Sequence, residues 1–292
     1  MIDPYETPTR YELLRPRYVW DGGIDDVRFV KGKLRQLVAE RGRRYSLAVE
    51  LGCGTGRFST VLGDVSARLI ATDPSRGMID YCRNTIHLPI PTEFREAAAE
   101  NVVSSGLAAR AELVAAFWSL TYPIQSFFQL TLTDSGELVQ VVTNEEAQPK
   151  ALSFIARLTA VSEMPRTILA IVFLADSIEQ RWVTDVWRLI GPLPGGSRDR
   201  TWDLLQARCA QLRDEGHDVS TEVVNGSLVC RDETSLRQVF LEHHLRGLLP
   251  HGMTREQLGR RLLADMDSYR YADGYRIPAG FRWLSIKIRK PN

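Results

Sequence analysis

The stretch Leu47 to Val61, LAVELGCGTGRFSTV, limits what this chain can fold into more than any other part of it. Leu47, Ala48 and Val49 form a short apolar run that reads as a buried strand. Glu50 closes that strand, Gly52, Gly54 and Gly56 follow at alternate positions, and a helix is expected from Arg57. Strand, glycine turn and helix in that order form the ligand end of a βα unit in an open α/β sheet. Glycines let a ligand press against the backbone and tolerate the positive φ such a turn requires. The spacing is not the GxGxxG of dinucleotide sites. A carboxylate beside the turn suits a ligand carrying an ammonium group, whereas it would repel a pyrophosphate.

The residues VELGCGTGRFS resemble the first motif of the class I S-adenosylmethionine (SAM) dependent methyltransferases. The resemblance implies an α/β fold: a Rossmann-like seven-stranded sheet, its last strand antiparallel, with helices on both faces. It also implies SAM as cofactor, S-adenosyl-L-homocysteine as product, and Glu50, Gly52, Cys53, Gly54 and Gly56 around the cofactor. The second strand, Arg68 to Thr72, ends in Asp73, about twenty residues past the turn, where an acid accepts from ribose hydroxyls. In DPSRGM, which begins at Asp73, the family packs an apolar side chain on adenine. Pro74 and Met78 are the candidates, the alternative for Met78 being helix core. A third strand, Thr92 to Arg95, leads into EAAAENV. The family places an Asp where this chain has Ala98, while Ala99 and Glu100 match, so adenine recognition passes to the Ala99 backbone, Glu100 or Asn101. The fourth strand, Ala111 to Phe117, ends in FWSLTYP at the switch point of the sheet. Phe117 and Trp118 are expected at the cofactor, with Ser119, Thr121 and Tyr122 toward the reacting methyl. Neither an NPPY-type motif nor a Pro-Cys stands here, which argues against a nucleic-acid base as acceptor.

Ahead of this core, YELLRPRY is similar to a YDxxRPxY entry of many small-molecule methyltransferases. Tyr11 and Arg15-Pro16 match it, so residues 1–44 read either as a lid over the cofactor or as aromatics stapling the helix Ile24 to Arg41 to the sheet. A fifth strand is expected over Gly136 to Thr143 after the turn Asp134-Ser135-Gly136. Residues 145–215 then read as a helical insertion, a substrate cap or dimer element, with runs at 151–161, 167–190 and 201–213. The turn GPLPGGS at 191–197 separates the last two. Trp182, Trp187 and Trp202 belong to a cavity or to helix packing. Val219 to Cys230 carries Asn225-Gly226, a tight-turn signal between two β-prone runs, the first being the sixth strand. Phe281 to Arg289 alternates and suits the antiparallel seventh. The domain reading is a lid over 1–44, a core over 45–144 and 216–292, and the insertion between them.

A net charge of +1 and no dense Lys/Arg run give no reason to expect a nucleic-acid partner. The four cysteines form no CxxC pair, the start of the chain has no hydrophobic signal core, and no membrane is expected. These point to a cytoplasmic enzyme that is a possible homodimer. Methyl transfer from a sulfonium is an in-line displacement in which the enzyme chiefly positions the partners, with a base needed only for an acceptor that must lose its proton early. Candidate catalytic groups are Tyr5, Tyr11, Tyr18, Tyr122, His243 and His244. Adjacent helical histidines diverge by about 100°, so no metal site is expected, and each histidine is a base or a packed side chain. The reading is methyl transfer to an O, N or C atom of a small molecule, possibly in natural-product biosynthesis. The alternatives are an RNA or protein methyltransferase, or a SAM-binding protein that does not methylate.

Overall fold

The computed structural model describes residues 7–132, 138–161, 164–191 and 198–290. Tyr5, the turn at Asp134-Ser135-Gly136 and most of 191–197 lie outside them. The chain opens with helix α1 (Pro8–Leu14), strand β1 (Tyr18–Trp20) and helix α2 (Asp26–Arg41). The Asp25 carboxylate caps α2 by accepting from the Arg28 amide at 2.7 Å, and Gly42 ends the helix in the left-handed region, a pairing of signals each worth about 1 kcal/mol. Then follow β2 (Ala48–Leu51), α3 (Ser59–Val65), β3 (Leu69–Asp73), α4 (Arg76–Thr85), β4 (Thr92–Glu96), α5 (Ala99–Ser104), β5 (Leu113–Phe117) and α6 (Thr121–Ser126). A small hairpin, β6 (Leu130–Leu132) and β7 (Leu138–Gln140), stands apart from the main sheet.

The second half comprises α7 (Asn144–Leu158), β8 (Arg166–Phe173), α8 (Ile178–Ile190), α9 (Arg198–Asp214), β9 (Asp218–Cys230) and α10 (Glu233–Arg237). A π-helical stretch over Gln238–His244 continues directly from α10. Helix α11 (Arg255–Met266) and strands β10 (Arg270–Tyr271) and β11 (Gly274–Ile288) finish the chain.

The main sheet runs β1-β9-β11-β8-β5-β2-β3-β4, with β10 paired to β11. Strands β4, β3, β2, β5 and β8 are parallel, and β11 lies antiparallel between β8 and β9. This is the expected Rossmann-like order, with nine strands in place of seven. The additions are β10 and β1, which pairs with β9 at the outer edge, Trp20 opposite Gly226. One apolar layer joins the sheet to α2, α3, α4, α8 and α11, and a second joins its other face to α5, α7 and α9. Phe281 on β11 is fully buried edge-on against Trp20 and Phe29. Truncating a buried ring of this kind to Ala costs about 3–5 kcal/mol.

Three expectations are corrected. The fifth strand of the sheet is β8, within the stretch read as a helical insertion, and Leu138–Gln140 pairs only with Leu130–Leu132. All eight residues of β8, RTILAIVF, are buried. A strand covered on both faces is apolar throughout, and by pattern alone it cannot be told from a buried helix. Among its described residues the 145–215 segment is therefore α-helical at α7, α8 and α9 and a strand at β8. Second, Asn225-Gly226 makes no turn: β9 runs unbroken through both residues. A Cβ on Gly226 would stand 2.4 Å from the Val19 carbonyl oxygen, so glycine is there to admit β1. Third, part of the N-terminal segment read as lid and helix is the edge strand β1. Its three residues are too short a run to register as a period.

Candidate active site

The carboxyl ends of β2, β3 and β5 open into a cavity of about 810 Å³, roofed by α1 and walled by α8 and the π-helical stretch. Gly52 and Gly54 line it, with φ of 72° and 53°. A Cβ on Gly52 would lie 2.5 Å from Ser119 Cβ, so the turn and the end of β5 approach as closely as glycine permits. A Cβ on Gly54 would meet nothing within 4 Å. It would enter the open space that a ligand held against the backbone needs.

Asp73 closes β3, lines the cavity and is 8% exposed. Its two carboxylate oxygens accept from the amides of Gly54 at 2.8 Å and Ser75 at 2.9 Å. Burial pushes its pKa above the ordinary value against the pull of those two amides. Pro74, Met78, Ala99 and Glu100 also line the cavity, as does Ala98, and Glu100 accepts from the Ser126 hydroxyl at 2.8 Å. Glu50, Cys53 and Gly56 do not reach it. Glu50 lies beneath the turn, accepts from the Ser59 hydroxyl at 2.5 Å, and has a pKa pushed up to about 7 by burial. Cys53 is buried, and a Cβ on Gly56 would press on Ile86 and the Cys82 thiol, so both serve packing.

Phe117 and Trp118 stand at the end of β5. Phe117 stacks on Trp283 at 5.9 Å, and Trp118 stacks on Tyr18 at 5.5 Å. Trp118 has a φ of 63°, which a bulky residue adopts only where its surroundings impose it. The imposing partner is Asp26, which accepts from the indole Nε1 at 2.9 Å and also pairs with Arg57. Asp26 is a feature the sequence hides, because a first-turn acid on a helix is usually only a dipole partner.

Helix α1 crosses the opening. Tyr11 lines the cavity 5.8 Å from the His243 ring, and Glu12 accepts from the Thr55 hydroxyl on the glycine turn at 2.5 Å. Burial pushes the Tyr11 pKa up to about 12. Tyr122 also lines the cavity.

Of the six residues read from sequence as catalytic candidates, Tyr5 lies outside the described residues, and Tyr11, Tyr18, Tyr122, His243 and His244 all face one space. The two histidines do so together because their segment is π-helical, a form often found at functional sites, and not the α-helix the sequence suggests. Glu179 on α8 organises this wall and escapes the sequence reading. It is 1% exposed, accepts from the Tyr18 hydroxyl at 2.7 Å, and lies 2.9 Å from His244 Nε2. Burial pushes its pKa up, but the His244 imidazole and the Tyr18 hydroxyl outweigh that, leaving it below the ordinary value and ionised. Burial, reinforced by repulsion from a protonated His244 and from the Arg246 and Arg198 guanidinium groups, holds His243 well below the usual imidazole range. Among the tryptophans, Trp187 lines the cavity, Trp182 is core and donates to Asp265 at 2.9 Å, and Trp202 lies under Arg282. Among the described residues no group of three or more His, Cys, Asp or Glu is placed to hold a metal ion, and none of their helices is long and apolar enough to cross a membrane.

Residues 48–130 match the family model described as a methyltransferase domain. The chain carries a methyltransferase domain over these residues. A protein of unknown function from Deinococcus radiodurans is 15% identical with a TM-score of 0.50, covering 96% of this chain and 99% of that one, and shares the fold. A putative methyltransferase from Bacillus halodurans is 12% identical with a TM-score of 0.48, over 90% of this chain and 99% of its own. The plantazolicin methyltransferase BpumL, in complex with SAH, is 10% identical with a TM-score of 0.42, over 89% and 82% of the two chains. A search of curated proteins finds no match. The matched methyltransferase segment contains the glycine turn, Asp73 and Trp118. Tyr18, Glu179, His243 and His244 lie outside it.

Proposed function

We propose that this methyltransferase acts on a small molecule, with His244 as the general base for an acceptor hydroxyl or amine. The observation that carries the reading is the buried Tyr18–Glu179–His244 cluster in the wall of the cavity. SAM supplies an electrophilic methyl whose leaving group departs neutral. Gly52, Gly54, Asp73, Met78 and Ala99 are proposed to hold it: the glycines by bare backbone, Asp73 at the ribose, and Met78 and Ala99 at the adenine.

The chain's own residues then have distinct tasks. The ionised Glu179 fixes the His244 ring and stabilises the imidazolium formed when His244 takes the acceptor's proton. Tyr18 remains protonated, since burial and the Glu179 charge raise its pKa well above the ordinary value, so it donates to Glu179 and competes for no proton. His243, held neutral, adds no second charge beside the imidazolium. Helix α1, latched through Glu12 to Thr55, excludes water from the reacting pair. Helices α8 and α9 are the proposed substrate cap. A deep, aromatic-lined cavity and a net charge of +1 favour a small acceptor over an RNA or protein surface. Such chemistry is consistent with tailoring of a natural product.

The test begins with calorimetric titration of S-adenosylhomocysteine into wild type and Asp73→Ala. The reading expects saturable binding by the wild type, weakened at least tenfold by the substitution. It then expects methylation of a screened hydroxylated acceptor to fall in His244→Ala while S-adenosylhomocysteine affinity holds. A wild type that binds the product but keeps full turnover in His244→Ala would remove the base assignment.

A further inference from the structure

The cavity holds one guanidinium that its own surroundings do not satisfy. Arg198, the first residue of α9, lines the cavity with its guanidinium carbon 3.9 Å from the centroid of the Phe173 ring. The arene fixes the plane of the group but offers no hydrogen-bond acceptor at its edge. Its Nη1 is shut off from solvent without a hydrogen-bond partner, and no carboxylate of the described residues pairs with it.

The other described charges that line the cavity have partners, Arg246 among them. Arg57 pairs with Asp26, and Arg15 pairs with Glu12. The Asp73 carboxylate is held by two amides, and Glu179 by Tyr18 and His244. Arg198 is half-buried, and a guanidinium nitrogen shut off from water with no acceptor is costly until a ligand draws the fork to itself. The partner that matches a guanidinium fork most closely is a planar carboxylate, which takes two parallel N–H bonds. The walls beside Arg198 are flat: Phe173 packs on Trp118 at 4.8 Å, and Trp118 on Tyr18.

We propose that Arg198 receives a carboxylate of the acceptor, so that the substrate is a planar, aromatic carboxylic acid whose second polar group meets His244. This rests on the methyltransferase reading and narrows its substrate class. The carboxylate has one competing source, the amino-acid end of the cofactor itself, and the two are separable by experiment.

Benzoate and its uncharged isostere benzamide are titrated into protein saturated with S-adenosylhomocysteine, for wild type, Arg198→Met and Arg198→Lys. The expected result is benzoate binding at least tenfold tighter than benzamide in wild type. In Arg198→Met the preference disappears while S-adenosylhomocysteine affinity stays within twofold. Arg198→Lys restores part of the preference, having the charge without the fork. The proposal is overturned by equal affinity for the two probes in wild type, by a preference that survives in Arg198→Met, or by a tenfold loss of S-adenosylhomocysteine affinity in that variant, which would give the carboxylate to the cofactor. Failure of the wild type to bind S-adenosylhomocysteine at all is a different outcome, and it overturns the methyltransferase reading on which this rests.

Discussion

The two ends of the cavity, which we assign to cofactor and acceptor, are built by opposite means. At the cofactor end, Gly52, Gly54 and Asp73 come from two adjacent parallel strands, and the surface is mostly backbone held by short-range hydrogen bonds. At the proposed acceptor end, Tyr18, Arg198 and His244 come from three separate elements, with Glu179 of a fourth buried behind them, and the surface is made by side chains. A backbone-built site tolerates side-chain change except where a Cβ intrudes. A side-chain-built site loses most when the side chain that does the chemistry is removed, and less when a supporting one is.

The largest effect that would sharpen this contrast is at the acceptor end. His244→Ala is expected to lower kcat by about 10²–10⁴-fold, the usual contribution of a positioned base. Steady-state kinetics with a screened acceptor would check it, and S-adenosylhomocysteine affinity within twofold of wild type would show that the cofactor end is untouched.

Next is Glu50, whose carboxyl is buried with a pKa of about 7. The unfolded chain releases this proton near pH 4.5 and the folded chain only near pH 7. Stability of the ligand-free wild type should therefore fall as pH rises between those values, by about 3 kcal/mol in all. Glu50→Gln removes that slope. Urea unfolding at pH 5 and pH 8 would measure it, and a wild type as pH-independent as the variant would show that Glu50 is ionised throughout.

Asp73→Ala should weaken S-adenosylhomocysteine by about 10–100-fold, equivalent to one charge-assisted hydrogen bond at about 1.5–3 kcal/mol. Retention of wild-type affinity would break the comparison, because the cofactor end would then depend on backbone alone. The smallest effect is expected for Tyr18→Phe, which removes one hydrogen bond to Glu179 and should cost kcat no more than about tenfold, about 1.4 kcal/mol. A loss as large as that of His244→Ala would mean that Tyr18 touches the acceptor directly.

How legible each end is follows from the same contrast. The strand at Ala48–Leu51, the glycine turn, the strand ending in Asp73 and the strand ending in Phe117 all stand where the sequence places them, because each depends on a local pattern. The tyrosine and histidine candidates were also legible as residue types, although nothing local indicated that they share a cavity. Glu179 and Asp26 were hidden because a carboxylate in the first turn of a helix normally needs no further explanation. Arg198 is one arginine among many until Phe173 is seen beneath it.

The sequence by itself determined the glycine turn, the strand ending in Asp73 and the class of the fold, since apolar runs, positive-φ glycines and a strand-ending acid are properties of a few neighbouring residues. Only the tertiary structure decided that Arg166–Phe173 is a central strand, that β9 passes straight through Asn225-Gly226, and that the histidine segment winds as a π-helix. Each of those outcomes is set by what packs against the segment: a sheet neighbour on either side of β8, the backbone of β1 on Gly226, and Glu179 facing His244. The acceptor end exists only once those long-range contacts have formed.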